Sequence, residues 1–493
     1  MEEAHIAFVS TPGMGHIIPL VEFAKRLITQ HRFTATLILP AFQDDGPVST
    51  AQIAFLQSHL PAGMDYLLLP PVPLHHLPPN ARPVTRMCRV MDLSLPALRE
   101  ALKALMAAMM NIRRRLVALA VDLFSTCAFD VADELGIMRC VFYPSAAFTL
   151  SFTLYLPELD SSLQPGDEFR DLARPVQIPG FSVPVHGKDL IDPVQDRQDE
   201  TYTWVLHHAK RLSLAQAIMV NSFNEAEESA VKALQKSEPG NPPVHHPVYL
   251  VGPLVRMDST SSNNNNNNLV GGGSECLQWL DEQPERSVLF VSFGSGGTLS
   301  HQQLIELALG LEMSGQRFVL VVRSPSENSM AFFSTQHPGD PLSFLPQEFT
   351  QRTKNFGIVV PNWAPQHQIL SHRSTGGFLT HCGWNSILES IAYGMPLVAW
   401  PLYAEQKMNA LLLTEDLKVA LRPKASENGL VGREEIARVV KGLMDSEEGK
   451  KMREKMGYLK DAGLKAIGDE DGSSTKALDQ LVSIWKSKLA KTI

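Results

Sequence analysis

The chain has 493 residues, a formal net charge of −8 and charged side chains at 19% of its positions. This length exceeds what one hydrophobic core usually supports, so we expect two or more domains. The excess of acidic residues, without a basic stripe, argues against a nucleic-acid partner. Five cysteines without a Cys-x-x-Cys pair argue against both a disulfide scaffold and a zinc site.

No segment of the sequence predicts a membrane span. The chain opens with two acidic residues and enters a predicted strand at once. No apolar run reaches the roughly 18 residues that a spanning helix needs. We therefore expect a cytoplasmic protein. We also expect it to act as a monomer.

The first elements in chain order form a βαβ unit. Residues 5–10 are predicted as a buried strand, and apolar residues spaced three and four apart predict a helix over 17–28. Residues 33–39 are the next predicted strand. A strand, a helix and a strand in this order indicate a parallel sheet.

The turn between the first strand and the first helix ends in His16. The positive end of a helix dipole disfavours a charged imidazole, so His16 is expected to be able to accept a proton. The alternative is a histidine that caps its own helix. The turn lacks the Gly-x-Gly-x-x-Gly spacing, which weakens the case for a dinucleotide site.

Asp122 is expected to be the partner of His16. Residues 70–83 are rich in proline and predict a loop, residues 95–110 predict a helix, and residues 116–121 predict a strand that ends at Asp122. A carboxylate inside this apolar run needs a partner, and the imidazole of His16 is a candidate. Such a pair is the His-Asp half of a catalytic triad, while a structural aspartate remains the alternative.

The strand and helix pattern restarts after a low-complexity polar segment at 258–274. Strands are predicted at 287–292, 318–322 and 357–360, with a helix over 302–313. Two such halves predict an α/β protein of two doubly wound, Rossmann-like domains that face each other across a cleft. The expected divisions are a first domain at 1–250, a linker with a low-complexity loop at 251–275, a second domain at 276–475, and a last helix at 476–493.

Residues 363–406 predict an anion site. A buried strand ends at His381, Cys382 and Gly383 make a tight turn, and a helix then opens with an Asn385/Ser386 cap and runs to residue 393. A helix N-terminus offers backbone N–H groups and a partial positive charge to a phosphate.

Three further side chains fit a nucleotide-like ligand. Glu389 lies one helical turn beyond Asn385, where its carboxylate can accept hydrogen bonds from sugar hydroxyls. Ser295 follows a strand in a glycine-rich segment that can surround a phosphate. Trp363 follows another strand, where its indole is either a stacking face for a base or an ordinary core side chain.

These segments resemble plant family 1 glycosyltransferases, which use a UDP-sugar. The whole block at 363–406 matches the signature of that family in length and in sequence. The resemblance extends over nearly the whole chain, including TPGMGHIIPLVEFAKRL, FGSGGTL and REEIARVVKGLM. Within the family, the hydroquinone glucosyltransferase branch is the most similar.

The resemblance implies a GT-B fold in which the domain at 1–250 binds the acceptor, the domain at 276–475 binds the UDP-sugar, and the last helix packs on the first domain. It also implies an inverting transfer from UDP-glucose that needs no metal and no separate cofactor. His16 would be the general base and Asp122 its supporting acid. A glutamine at 406, where a histidine would indicate galactose, points to glucose. The implied donor-binding residues are Ser295, Trp363, Ala364, Gln366, His381, Trp384, Asn385, Ser386, Glu389, Glu405 and Gln406.

The acceptor is expected to be a small phenol of the hydroquinone, phenylpropanoid or xenobiotic type. Its tentative contacts are Val84, Met87, Cys127 and Phe148, although core packing remains an alternative for methionines of this region. Glucosyl transfer to nitrogen or sulfur, and a nucleotide-sugar-binding protein without catalysis, remain alternatives. A Rossmann oxidoreductase is disfavoured by the missing glycine motif.

Overall fold

The structure, a computed structural model, describes residues 3–41, 47–74, 77–78, 81–235, 247–256, 273–326, 339–468 and 470–490. The chain divides into an N-terminal unit, Met1–Arg256 with Lys465–Ile493, and a C-terminal unit, Met257–Leu464. Most of the low-complexity segment predicted at 258–274 lies outside the described residues.

The N-terminal unit contains a seven-stranded parallel sheet. Its strands are β1 (Glu3–Val9), β2 (Thr34–Leu39), β3 (Met64–Leu68), β4 (Arg114–Val121), β5 (Met138–Tyr143), β6 (Ala217–Val220) and β7 (Val248–Leu250). They lie in the order β3-β2-β1-β4-β5-β6-β7, and in the register Phe8 pairs with Leu37 on one side and Ala120 on the other. The strand order reverses between β1 and β4, which is where doubly wound sheets bind ligands.

The C-terminal unit repeats this design with six strands. They are β8 (Val288–Ser292), β9 (Arg317–Val322), β10 (Gly357–Pro361), β11 (Thr375–Thr380), β12 (Leu397–Ala399) and β13 (Ala420–Leu421). They are parallel and lie in the order β10-β9-β8-β11-β12-β13, so the reversal falls between β8 and β11. Both predicted doubly wound sheets are therefore present.

Helices connect the strands of both sheets. They are α1 (Met14–His31), α2 (Pro47–His59), α3 (Pro83–Met110), α4 (Phe129–Glu134), α5 (Ala147–Ser161), α6 (Glu200–Leu212), α7 (Asn224–Gln235), α8 (Gly273–Asp281), α9 (His301–Ser314), α10 (Phe349–Thr353), α11 (Gln366–Ser371), α12 (Trp384–Tyr393), α13 (Gln406–Leu411), α14 (Arg433–Asp445), α15 (Glu447–Gly468) and α16 (Ser473–Ala490). Among the described helices, none combines the length and the apolar character needed to cross a bilayer.

The last helix, α16, belongs to the N-terminal unit. Its buried face, which includes Trp485, shares a core with residues of β1, β2 and α1. The indole of Trp485 packs against Phe33 with ring centroids 6.0 Å apart. Arg26 of α1 donates hydrogen bonds to Val251 O at 3.0 Å and to Thr475 Oγ1 at 3.3 Å. The side chain of Arg26 therefore bonds both to the segment where the chain leaves this unit and to the segment where it returns.

The start of α3 differs from the prediction. The helix begins at Pro83 rather than at residue 95, so the loop predicted over 70–83 ends one residue earlier. Pro83 occupies the first helical turn, where a missing N–H costs nothing. Pro96 lies inside the helix on its exposed face, where the carbonyl that loses its partner can bond to water. The other predicted strands and helices match observed elements, with ends that differ by up to three residues.

Candidate active site

The loops after β1 and β4 bring His16 and Asp122 together at the first strand reversal. His16 is the third residue of α1, and Asp122 follows the last residue of β4. His16 Nδ1 donates to Asp122 Oδ2 at 2.9 Å. The Asp122 side chain is 1% exposed, whereas that of His16 is 22% exposed. The two residues that the sequence singled out are therefore in contact, with the carboxylate inside and one edge of the imidazole accessible.

The Asp122 carboxylate accepts hydrogen bonds at both oxygens. Thr11 donates to Oδ2 from its backbone N–H at 2.7 Å and from its hydroxyl at 2.5 Å, and the Ser125 hydroxyl donates to Oδ1 at 2.7 Å. Burial by itself would raise the pKa of Asp122, but the hydrogen bonds from His16, Thr11 and Ser125 outweigh it and hold the pKa below its ordinary value. The ionised carboxylate keeps the proton of His16 on Nδ1, which leaves the Nε2 lone pair available.

The lowered pKa of Asp122 predicts how an Asp122→Asn variant responds to pH. A depressed carboxyl pKa contributes stability that is fully present above the ordinary value of 3.8 and is lost as the pH falls through the lower folded-state value. We expect Asp122→Asn to lower the free energy of unfolding by on the order of 2 kcal/mol at neutral pH. Urea titrations should show this difference unchanged down to about pH 5 and shrinking below about pH 4. If the difference in the free energy of unfolding between wild type and Asp122→Asn stayed constant into strong acid, it would contradict the assignment of Asp122 as an ionised hydrogen-bond acceptor.

The sequence analysis missed two aromatic residues near the imidazole of His16: Phe124, which stacks on it, and His208, which packs against Phe124. The ring of Phe124 stacks on His16 with centroids 5.8 Å apart, and its edge meets His208 at 6.3 Å. His208 Nδ1 lies 2.7 Å from Thr126 Oγ1, and burial lowers the pKa of His208 to about 3, so its ring is neutral. The position of Phe124, two residues beyond Asp122 at a strand end, is the signal that could have identified it.

The four tentative acceptor residues belong to the N-terminal unit and differ in how far they are buried. Val84 and Met87 are half-buried on α3, which contacts the short turn that carries Cys127. Cys127 is buried, and this burial raises the pKa of its thiol to about 12. Phe148 is fully buried and stacks on Phe181 at 3.9 Å. The first three therefore lie on neighbouring elements, while Phe148 is a core residue.

Two glycines enclose the ring of His381 at the second strand reversal. A Cβ at Gly294, in the loop after β8, would lie 2.6 Å from His381 Cε1. A Cβ at Gly383, in the turn after β11, would lie 2.5 Å from His381 Nε2. Gly294 also has a φ of 72°, which favours glycine. Only residues without a side chain allow both backbone segments to approach this ring.

His381 is a neutral group in this environment. It is 8% exposed, and burial lowers its pKa to about 4. Its Nδ1 lies 3.4 Å from Thr380 Oγ1. The following turn is held by Asn409, whose amide donates to Cys382 O at 3.0 Å. His381 can therefore offer an N–H hydrogen bond to an anion but not a full positive charge.

The helix α12 begins at Trp384, directly after this turn. Its N-cap is Gly383, and no side chain caps it. The predicted Asn385/Ser386 cap was therefore wrong, because both residues lie inside the first turn of the helix. A phosphate placed at this end would meet the backbone N–H groups and the positive end of the dipole, with the Asn385 and Ser386 side chains alongside.

Glu389 links α12 to the short helix α11. Gln366 Nε2 donates to Glu389 Oε2 at 2.5 Å and to Ser386 Oγ at 3.1 Å. His367 Nε2 lies 3.2 Å from Glu389 Oε1. Because a carboxylate has about four acceptor positions, Glu389 keeps capacity for further hydrogen bonds. The sequence analysis did not identify His367 as a partner of Glu389.

Trp363 is 59% exposed, which rules out the alternative of a core tryptophan. It follows β10, with Asn362 in the left-handed region at a φ of 62°. Asn362 N donates to Val322 O at 2.7 Å, so the turn that carries the indole is bonded to β9. Ala364, the next residue, is buried. The exposed indole at a strand end is suited to stacking against a planar ligand.

The expected sugar contacts differ in their accessibility. Gln406 is 3% exposed, and its Oε1 accepts from Leu402 N at 2.9 Å and Tyr403 N at 3.0 Å. Trp384 is buried, and Glu405 is partly exposed. The oxygen of the Gln406 amide is thus bonded within its own turn, so its NH₂ group is the part suited to a ligand contact.

Comparison with known proteins identifies the family of this chain. The family model described as "UDP-glucoronosyl and UDP-glucosyl transferase" matches residues 266–450. The chain is 56% identical over 490 residues to the hydroquinone glucosyltransferase of Rauvolfia serpentina. The aligned region covers 99% of each chain. The chain belongs to the UDP-glycosyltransferase family. It is therefore an enzyme that takes a glycosyl group from a UDP-sugar.

Solved structures of UDP-glycosyltransferases share this fold. One is a UDP-glucosyltransferase from Polygonum tinctorium capable of glucosylating indoxyl, in complex with 3,4-dichloroaniline, at a TM-score of 0.86 and 49% identity, covering 98% of this chain and 99% of that one. Another is UGT2 of Phytolacca americana with UDP-2fluoro-glucose and pterostilbene, at a TM-score of 0.85 and 46% identity, covering 98% and 100%. The two parallel-sheet units of this UDP-glycosyltransferase are thus those of the predicted GT-B fold.

The described part of the UDP-glycosyltransferase shows no cluster of three or more His, Cys, Asp or Glu residues suited to a metal ion.

Proposed function

We propose that this UDP-glycosyltransferase transfers glucose from UDP-glucose to the hydroxyl of a small phenol, with inversion at the anomeric carbon. His16 is the general base, and Asp122 orients it. The 2.9 Å contact between His16 Nδ1 and the buried, ionised Asp122 carries this proposal, because it leaves Nε2 able to accept a proton. The name of the 56% identical relative, a hydroquinone glucosyltransferase, supports a phenolic acceptor.

The reaction is a single displacement. Nε2 of His16 removes the proton from the acceptor hydroxyl, and the oxygen attacks the anomeric carbon as the bond from that carbon to UDP breaks. The charge of Asp122 stabilises the imidazolium that forms. Attack from the face opposite the leaving group inverts the anomeric centre and needs no carboxylate nucleophile.

The departing UDP requires groups that stabilise its negative charge. The N-terminus of α12 presents its dipole and backbone N–H groups, and the neutral ring of His381 adds an N–H donor. We propose that these groups, with the side chains of Ser295, Asn385 and Ser386, hold the diphosphate. Fixed dipoles of this kind lower the barrier because they need no rearrangement as the charge develops.

The nucleoside and the sugar are proposed to bind beside the diphosphate. Trp363 stacks on the uracil, and Ala364 and Gln366 contact the base and the ribose. Glu389 accepts hydrogen bonds from the ribose hydroxyls. Trp384, Glu405 and the NH₂ group of Gln406 contact the glucose. Support comes from the exposure of Trp363 and from the hydrogen bonds that orient Glu389 and Gln406.

The acceptor is proposed to bind beside His16. Phe124, stacked on His16, provides an apolar wall for an aromatic ring. Val84, Met87 and Cys127 extend this wall from α3 and the adjacent turn, and a flexible thioether can adapt to different acceptors. Phe148 supports the wall from the core.

A screen of acceptors tests the proposed function. The protein is incubated with UDP-glucose and matched phenols, anilines and thiophenols, and products are detected by mass spectrometry. We expect phenols to gain one hexosyl residue and NMR to show β-linked glucosides. Glucosides formed with amines or thiols but not with phenols would contradict the proposed acceptor, and α-linked products would contradict inversion.

A Glu389→Gln variant tests the ribose contact. Loss of the carboxylate charge should weaken the hydrogen bonds to the ribose hydroxyls, and we expect the KM for UDP-glucose to rise by about 10-fold with kcat within about 3-fold. Steady-state kinetics with UDP-glucose varied measures this. The exposed Glu454 gives a matched control, since Glu454→Gln should leave both constants unchanged. An unchanged KM in Glu389→Gln would remove the ribose assignment.

A further inference from the structure

Arg323 is a cation at the loop of the proposed diphosphate site. It follows the last residue of β9, which lies next to β8 in the sheet. Its Nη1 donates a hydrogen bond to the carbonyl oxygen of Ser295, in the loop after β8. The guanidinium is therefore bonded to the loop that contains Gly294, whose backbone contacts His381.

The charge of Arg323 is not balanced by an acid in the described part of the chain. Arg323 bonds to the Ser295 carbonyl and interacts electrostatically with Tyr403, and none of the described carboxylates forms an ion pair with it. Burial lowers the pKa of this guanidinium, yet arginine remains a cation in proteins. A partly buried cation without an anion is costly, and a bound anion offsets that cost.

Two groups of the proposed diphosphate site, His381 and Tyr403, are neutral. Burial keeps His381 uncharged, and burial also raises the pKa of Tyr403, so that its phenol stays protonated. The Tyr403 ring lies 6.4 Å from His381 between centroids. The proposed diphosphate site therefore combines neutral donors and a helix dipole with the guanidinium of Arg323, whose planar N–H groups match phosphate oxygens.

We propose that Arg323 binds the diphosphate of the UDP-sugar directly, as a residue additional to Ser295, His381, Asn385 and Ser386. This inference rests on the donor site of the proposed function. It predicts that Arg323 contributes to recognition of the phosphates and not of the nucleoside. The competing role is structural, in which Arg323 only fastens the loop through Ser295 O.

The experiment compares UDP with uridine, which lacks the phosphates. Calorimetry on the full-length protein measures both dissociation constants for wild type, Arg323→Gln and Arg323→Lys. We expect Arg323→Gln to weaken UDP binding by about 10- to 100-fold and to change uridine binding by less than about 2-fold. Arg323→Lys should give an intermediate loss for UDP, because it keeps the charge but not the planar fork.

Arg317 provides a matched control at the opposite end of the same strand. It bonds to Gln283 Oε1 at 3.1 Å, away from the loop after β8. Arg317→Gln should leave the ratio of the UDP and uridine constants unchanged. Circular dichroism melting of each variant establishes that it is folded. If Arg323→Gln does not fold, the UDP and uridine constants of Arg323→Lys are compared with those of wild type instead.

Equal losses for UDP and uridine would assign Arg323 a structural role and overturn the proposal, as would an unchanged UDP constant. Failure of the proposed function has a different signature. In that case, the wild-type protein itself would form no glucoside from UDP-glucose. A wild type that is active, with a UDP-to-uridine ratio insensitive to Arg323, would reject only this inference.

Discussion

Replacing His16 by alanine is expected to lower kcat by about 10²- to 10⁴-fold, the usual contribution of a positioned general base. The variant removes Nε2, the atom proposed to take the proton of the acceptor hydroxyl. The proposed diphosphate groups belong to the C-terminal unit, so UDP binding should change by less than about 2-fold. Initial rates with UDP-glucose and a phenol, together with calorimetry of UDP, measure both effects.

His31 supplies the control for this experiment. It is the last residue of the same helix, α1, and its Nε2 lies 3.7 Å from Asp479 of α16. His31→Ala should reduce kcat by less than about 2-fold even if it lowers the melting temperature. Wild-type turnover in His16→Ala would reject His16 as the base.

Replacing Gly294 by alanine is expected to reduce UDP affinity by about 100-fold. The new Cβ would lie 2.6 Å from Cε1 of His381, so the ring or the loop must move. Such a shift would misplace both the histidine N–H and the Ser295 loop, and positioned donors lose most of their value when displaced. The φ of 72° at this position adds roughly 1 kcal/mol of strain for a non-glycine residue.

Gly315 provides a control that has the backbone strain of Gly294 but not its clash with His381. It has a φ of 63° at the end of α9, and a Cβ there would meet nothing within 4 Å. Gly315→Ala should therefore lose the stability that backbone strain costs but keep normal UDP affinity. Dissociation constants for UDP and urea unfolding curves of both variants make the comparison. Equal UDP affinity in the two variants would show that the His381 contact is unimportant for the donor.

The two parallel sheets could be predicted because local patterns determine them. Apolar runs of strand length alternate with helical periodicity, and β1–α1 and β11–α12 each combine a buried strand with a glycine turn and a helix. The carboxyl ends of parallel strands then meet at one edge. That rule predicts that His16 and Asp122 lie at the same edge, although they are 106 residues apart.

Other features depend on contacts that sequence spacing does not encode. The sequence predicts a helix from residue 95, whereas α3 begins at Pro83 and continues through Pro96, whose exposed position allows this. His208, which contacts Phe124, lies on α6. Arg323, which bonds to Ser295, follows β9, the strand next to β8. The two hydrogen bonds that bury the Gln406 oxygen likewise appear only in the folded turn.

The central claim is that His16 and Asp122 act as one catalytic unit, and a double-mutant cycle tests it most directly. Turnover is measured for wild type, His16→Ala, Asp122→Asn and the double variant, with UDP-glucose and one phenol at saturation. Because Asp122 acts through His16, the double variant should be no slower than His16→Ala within about 3-fold. Losses that multiply in the double variant would show that the two residues contribute independently, which would contradict the account.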